Sequence, residues 1–184
     1  ADISMDPRYE ALCGITEEEL YSYFEKSIAE MAETYAYSIE EMKHELKRQY
    51  DGYHFGPKLI DIYNPFSLLN AFASKIMQDY WFRSGTPTYL IRLLNHTQEN
   101  LNELTGRYYT PGQFIDYKAD VEKPLPMIFQ SGYLTIKDCN LRRNTYLLDF
   151  PNNEVKNGFV TMVASDYLKS RTDSGSWTLD VIDA

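Results

Sequence analysis

The sequence predicts a mainly α-helical protein: a helical bundle, followed by a smaller part built around one β-hairpin. Two observations carry this expectation. Helix-start signals recur ahead of apolar residues at helical spacing, at Thr16, Ser38, Asn64 and Thr86. In contrast, only the stretch from Tyr133 to Leu148 shows two well-separated runs of strand type.

Residues 1–14 hold Asp6-Pro7-Arg8 and Cys13-Gly14 and read as a loop with a short turn. Thr16 with Glu19 forms a capping box, in which the hydroxyl and the carboxylate each satisfy a free backbone amide. Leu20, Tyr23, Phe24, Ile28 and Met31 follow as one apolar stripe. Ser38 with Glu41 opens a second helix bearing Ile39, Met42, Leu46 and Tyr50, with Lys43, Lys47 and Arg48 toward its negative end.

Tyr50-Asp51-Gly52-Tyr53-His54-Phe55-Gly56 then packs four aromatic side chains and two glycines into a turn. Residues 59–63 read as extended. Asn64 caps a helix with Pro65 in its first turn, and Phe66, Leu68, Leu69, Ala71 and Phe72 make that helix apolar on most sides, hence buried. Thr86-Pro87 repeats the start signal for Leu90, Ile91, Leu93 and Leu94.

The stretch 97–119 is polar and reads as a connection with a short helix near 112–117. Met127, Ile128 and Phe129 form a further short helix ending at Gly132. Runs 133–136 and 145–148 pair as a hairpin across the turn 138–144, and Pro151-Asn152-Asn153 caps a last helix through Tyr167. Helix, hairpin, helix is the order that ends a winged-helix module. Residues 120–170 are therefore expected to be winged-helix-like, with the hairpin as the wing, and 171–184 to be a linker and the start of a truncated element.

The formal charge of −9 opposes general affinity for a phosphate backbone. The cysteines Cys13 and Cys139 stand far apart without metal-type spacing, which fits a reducing compartment. No run has the length of an apolar membrane span and no signal peptide is visible, so the expected location is the cytoplasm. The chain begins without Met and stops inside Thr178-Leu179-Asp180-Val181-Ile182-Asp183, a run that reads as a helix just begun, so a piece of a longer protein is expected. Sixteen tyrosines fit half-buried helix seams, with a stacking surface as the sharper alternative.

Four constellations bear on chemistry. Gly52-x-x-x-Gly56-Pro57-Lys58 fails as a phosphate loop, because Leu59 stands where the magnesium-binding hydroxyl belongs and the spacing is wrong. Asp149 with Glu154-Val155-Lys156 imitates a nuclease acid set, but the Glu and Lys fall in the first turn of a helix, where charge is ordinary. His44, His54 and His96 show no ligand spacing, and Asp51 reads as a turn former rather than a base. Lys137, Arg142 and Arg143 form the basic spot placed for phosphate contact through the wing.

Several strings resemble the bacterial AAA-ATPase-like proteins. They are Asp2 to Tyr9 with Leu12-Cys13-Gly14, Tyr50 to Phe55, Tyr63 to Asn70, Tyr80-Trp81-Phe82 with Gly85 to Thr88, Gln130 to Lys137, and Asp149 to Phe159. The resemblance covers nearly the whole chain, in order. It implies a parent with a P-loop ATPase core upstream of this region, and often a PD-(D/E)XK nuclease-like domain downstream, as partners in one polypeptide. Residues 1–96 would then be a helical lid-like region.

ATP and magnesium are implied for that parent, while this segment carries no phosphate loop, and no cofactor or catalytic residue is expected in it. Lid arginines of related ATPases reach nucleotide phosphates, which makes Arg83 and Arg92 the candidates here. Asp51, Gly52, Tyr53 and Phe55 are expected to form a structural hinge. The expected role is non-catalytic coupling of the parent's nucleotide state to a partner or fused domain. A DNA-binding module and a protein-interaction platform are the alternatives.

Overall fold

Residues 5–83, 104–115 and 124–161 are described by the computed structural model. The two capping boxes form as the sequence predicts. Thr16 starts α1 (Glu17–Tyr23) and Ser38 starts α3 (Ile39–Tyr50), each hydroxyl accepting from the amide of the glutamate three residues on. The first apolar stripe is not one helix, however. Phe24, at φ −120 and ψ 17, ends α1 and begins α2 (Glu25–Tyr35), which leaves Tyr23 largely exposed. Asn64 caps α4 (Pro65–Ser74) by accepting from the amides of Phe66 and Ser67. That helix is buried on one side only: Leu68 and Ala71 are enclosed, while Phe66 and Leu69 stay about half exposed. Three shorter helices follow: α5 (Tyr80–Arg83), α6 (Pro111–Phe114) and α7 (Leu125–Gln130). Among the described residues a further helix, α8, covers residues 153–161.

Strands correct the expected fold class. The chain is not mainly α with one hairpin; among the described residues it is a mixed α/β structure with two small antiparallel sheets. In the first, β1 (Ile15–Thr16) pairs with β2 (Ile62–Tyr63), with Ile15 opposite Tyr63, and Tyr53 bridges Ile62 on the far side. In the second, the order is β3 (Arg107–Tyr109), β5 (Thr145–Asp149), β4 (Thr135–Asn140). The hairpin β4–β5 is present as expected, but β3, inside the stretch read as a connection, adds a third strand to it. Strands of two or three residues show no readable alternation; partners distant in sequence fix them.

Among the described residues the buried apolar side chains fall into two clusters. One lies among α1–α4 and includes Leu20, Met31, Met42, Leu46, Tyr50, Tyr63 and Leu68. The other lies between the three-stranded sheet and α6–α8 and includes Tyr53, Ile62, Phe114, Ile128, Ile136, Leu148 and Phe159. Aromatic edges organise the second: Phe114 meets Phe129 and Tyr146 edge-on, and Tyr133 meets Phe159 and Trp81 likewise. Two neighbouring pairs divide between the clusters. Tyr50 faces the first and Tyr53 the second; in β2, Tyr63 faces the first and Ile62 the second. The strand's alternation sends adjacent side chains to opposite sides, so the turn 50–56 and β2 form the joint between the two cores.

Candidate functional site

The joint is held by polar contacts that the apolar pattern alone does not require. A register shift between Ile136 and Asp138 in β4 disturbs the ladder at Lys137. Bulges of this kind re-aim a side chain. Lys137 Nζ donates to the carbonyl of Gly52 at 2.9 Å and to that of Pro151 at 2.7 Å. Burial pulls its pKa below the ordinary lysine value, against the opposing pull of Asp61, Asp51 and Asp149. Gly52 sits at φ 91, and a Cβ there would meet the Pro151 carbonyl at 2.3 Å, so neither its conformation nor its space admits a side chain. Asn152 closes the same corner: its amide donates to the Asp51 carbonyl at 2.9 Å, and its Oδ1 caps α8 by accepting from Val155.

His54 and Thr135 tie the turn to β4 in parallel. The His54 amide donates to Thr135 Oγ1 at 2.7 Å, and the same hydroxyl donates back to the His54 carbonyl at 3.0 Å. The imidazole spans the Ile136 carbonyl (2.6 Å from Nδ1) and Asp61 Oδ1 (2.7 Å from Nε2). His54 is thus packed into the joint with both ring nitrogens hydrogen-bonded.

Carboxylates gather on the other side of the joint. Lys47 Nζ lies 3.1 Å from Glu17, 3.1 Å from Asp61 and 3.7 Å from Asp51. Burial alone would lower the Lys47 pKa, but the hydrogen bonds it donates to Asp61 and Glu17 outweigh it and raise the value. For Asp61 burial acts to raise the pKa, and the bonds from His54 and Lys47 prevail and lower it. Asp51 is the exception. Its side chain is 2% exposed and neither oxygen has a well-formed hydrogen bond. Burial pushes its carboxyl up to about 6, with the charges of Asp61 and Glu17 adding, while the Gly52 amide and Lys47 offset only part. Lys47, Asp51, Asp61 and Lys137 line an open cleft of about 550 Å³, bordered also by Arg48, Asp149, Phe150 and Lys156.

Of the expected hinge residues, Asp51, Gly52 and Tyr53 are built into the joint. Phe55 stacks on the Tyr53 ring at 6.3 Å but remains over a third exposed. Arg142 and Arg143 lie exposed in the turn between β4 and β5, whereas Lys137, grouped with them from sequence, points into the joint. Arg83 ends α5 with its side chain outside the described residues, where Arg92 and the helix start at Thr86 also lie.

The imitation of a nuclease acid set dissolves in three dimensions. Glu154 is fully buried and accepts from Ser67 Oγ at 2.9 Å and the Trp81 amide at 2.8 Å, joining α8 to α4 and α5. Burial raises its pKa despite those two donors, and Lys156 points to the surface. Among the described residues no group of three His, Cys, Asp or Glu side chains could hold a metal ion, and no helix is long and apolar enough to cross a membrane.

Sequence reasoning missed the cluster of Glu17, Lys47, Asp61 and Lys137 around Asp51. An acid between a buried Tyr50 and a glycine was the available signal.

No protein-family model matches the chain, and no solved structure matches it. It is similar to a protein of Azotobacter chroococcum mcd 1 described as an uncharacterized protein in the vnfD 5' region, 32% identical over 157 residues. That match covers 84% of this chain and 28% of the relative, so the chain spans little more than a quarter of the relative's length.

Proposed function

We propose that this chain is a non-catalytic coupling segment of a larger cytoplasmic AAA-ATPase-like protein, conveying the nucleotide state of a P-loop core to a partner or fused domain. The observation that carries this reading is the division of Tyr50 and Tyr53, and of Tyr63 and Ile62, between two cores. A displacement of one core acts on the other through residues 50–63, because close-packed interiors pass strain on rather than absorb it. The strings shared with AAA-ATPase-like proteins support the choice of parent, as does the much greater length of the similar Azotobacter protein. ATP and magnesium belong to the parent in this reading, since Lys58 is followed by Leu59 and donates to the Pro7 carbonyl.

Calorimetric titration of the chain with ATP and magnesium tests the assignment. No saturable binding is expected. A micromolar, magnesium-dependent affinity would falsify it.

A further inference from the structure

A second pocket, of about 630 Å³, opens between the N-terminal segment, the turn 53–55, β2 and the end of α7. That volume is ordinary for a small-molecule site. Charged residues make up 24% of the chain, yet none of the described residues lining this pocket is Asp, Glu, Lys or Arg. Rings dominate the lining instead, among them Tyr9, Tyr53, Phe55, Trp81 and Phe129. The inner polar groups are already used by the fold: both His54 ring nitrogens and the Thr135 hydroxyl are bonded within it, and Asn64 Oδ1 caps α4. At the rim, Gln130 and Ser131 are exposed, and Tyr9 (41%) and Phe55 (36%) present ring surface to solvent.

We propose that this pocket binds a small molecule bearing an uncharged aromatic ring with an amide or hydroxyl edge. An ion entering it would shed water and meet no opposite charge, whereas a neutral ring gains contact with ring faces. Sugars and proline-rich peptides are uncharged too, but their hydroxyls and carbonyls would be buried against groups whose hydrogen bonds are already made. Tyr53 and Phe55 lie nearly parallel, at 8°, with centroids 6.3 Å apart. A third ring between them needs about 7 Å, two van der Waals contacts of about 3.5 Å each. The ligand ring therefore stacks from outside, on the exposed Phe55 and Tyr9, with its polar edge at Gln130 and Ser131. The wall behind is already packed: a Cβ at Gly132 would touch Trp81 at 3.6 Å and Tyr53 at 3.7 Å, and Trp81 meets Tyr133 edge-on. Little ordering is left for binding to accomplish. This assignment does not rest on the coupling role.

A matched series of benzamide, benzoate and benzamidinium, titrated into the 184-residue chain at neutral pH and constant ionic strength and followed by amide NMR, tests it. Benzamide is expected to give saturable shifts at Phe55, Ser131 and Gly132, with both ions weaker by at least about tenfold. Phe55→Ala, at a position open to solvent, is expected to weaken benzamide by about tenfold. Absence of saturation by about 50 mM benzamide overturns the proposal, as do equal responses to the three compounds. Tighter binding of methyl glucoside or of an acetylated proline tetramer than of benzamide overturns it too, as does unchanged affinity in the folded Phe55→Ala variant. Should that variant not fold, the comparison of probes on the unaltered chain decides alone.

Discussion

Asp51 makes the stability of the fold depend on pH in a direction opposite to that of most carboxylates. Its pKa rises from the ordinary 3.8 to about 6 on folding, so the folded state holds the proton more tightly than the unfolded state. The resulting contribution is fully present below the unfolded value and is lost as pH climbs through about 6. Its size follows from the two values: about 3 kcal/mol between the acid and neutral limits. Asp51→Asn removes this titration while leaving Lys47, Glu17, Asp61, His54 and Lys137 in place, so their contributions cancel in the difference between the proteins.

Urea unfolding of both proteins at intervals from about pH 4 to about pH 8 measures it. The variant is expected to gain on the wild type by about 2–3 kcal/mol across that range, most of it between about pH 4 and about pH 6. Parallel profiles would show that Asp51 is solvated or hydrogen-bonded in solution, and the buried-acid reasoning would fail.

Four substitutions probe the joint and its surroundings. Gly52→Ala should destabilise by more than about 2 kcal/mol, from the φ of 91 and the Pro151 carbonyl at 2.3 Å. Gly106→Ala, at φ 68 with nothing within 4 Å, should lose only about 1 kcal/mol; similar denaturation midpoints for the two would remove the steric part of the argument. Thr135→Val keeps the side-chain volume but strands the buried amide and carbonyl of His54, at a cost of about 1–3 kcal/mol, and a neutral result would show water replacing the hydroxyl. Ser67→Ala removes a donor to buried Glu154 and should lower stability by about 1–2 kcal/mol in thermal unfolding; an unchanged midpoint would show water taking the place of the hydroxyl.

Local signals were the legible part of the fold. Thr16 and Glu19, Ser38 and Glu41, and Asn64 with Pro65 each act within a single helical turn, so their spacing in sequence is already their geometry in space. The break at Phe24 was not legible, because an unbroken apolar stripe does not record one non-helical backbone angle. β1 and β3 were missed for a related reason. Each becomes a strand through a partner far along the chain, Ile15 with Tyr63 and Tyr109 with Tyr146.

At the site, the central turn and its aromatic residues stood out from composition alone. The charge cluster did not: it gathers α1, α3, the segment before β2 and the disturbed part of β4, and no sequence window contains them all. Lys137 shows the difficulty most plainly. From sequence it was grouped with Arg142 and Arg143 as a basic spot on the wing, and the register shift beside it aims it at Gly52 instead.

Coupling of the two cores through residues 50–63 is the central claim, and native-state hydrogen exchange addresses it directly. Ile128→Ala opens a cavity in the second core, with an expected loss of about 2–4 kcal/mol. If the joint makes both cores one cooperative unit, the slowest amides of α2 and α3 lose as much protection as those of β4 and β5. Unchanged protection in α2 and α3, with a loss confined to the sheet, would contradict coupling through the joint.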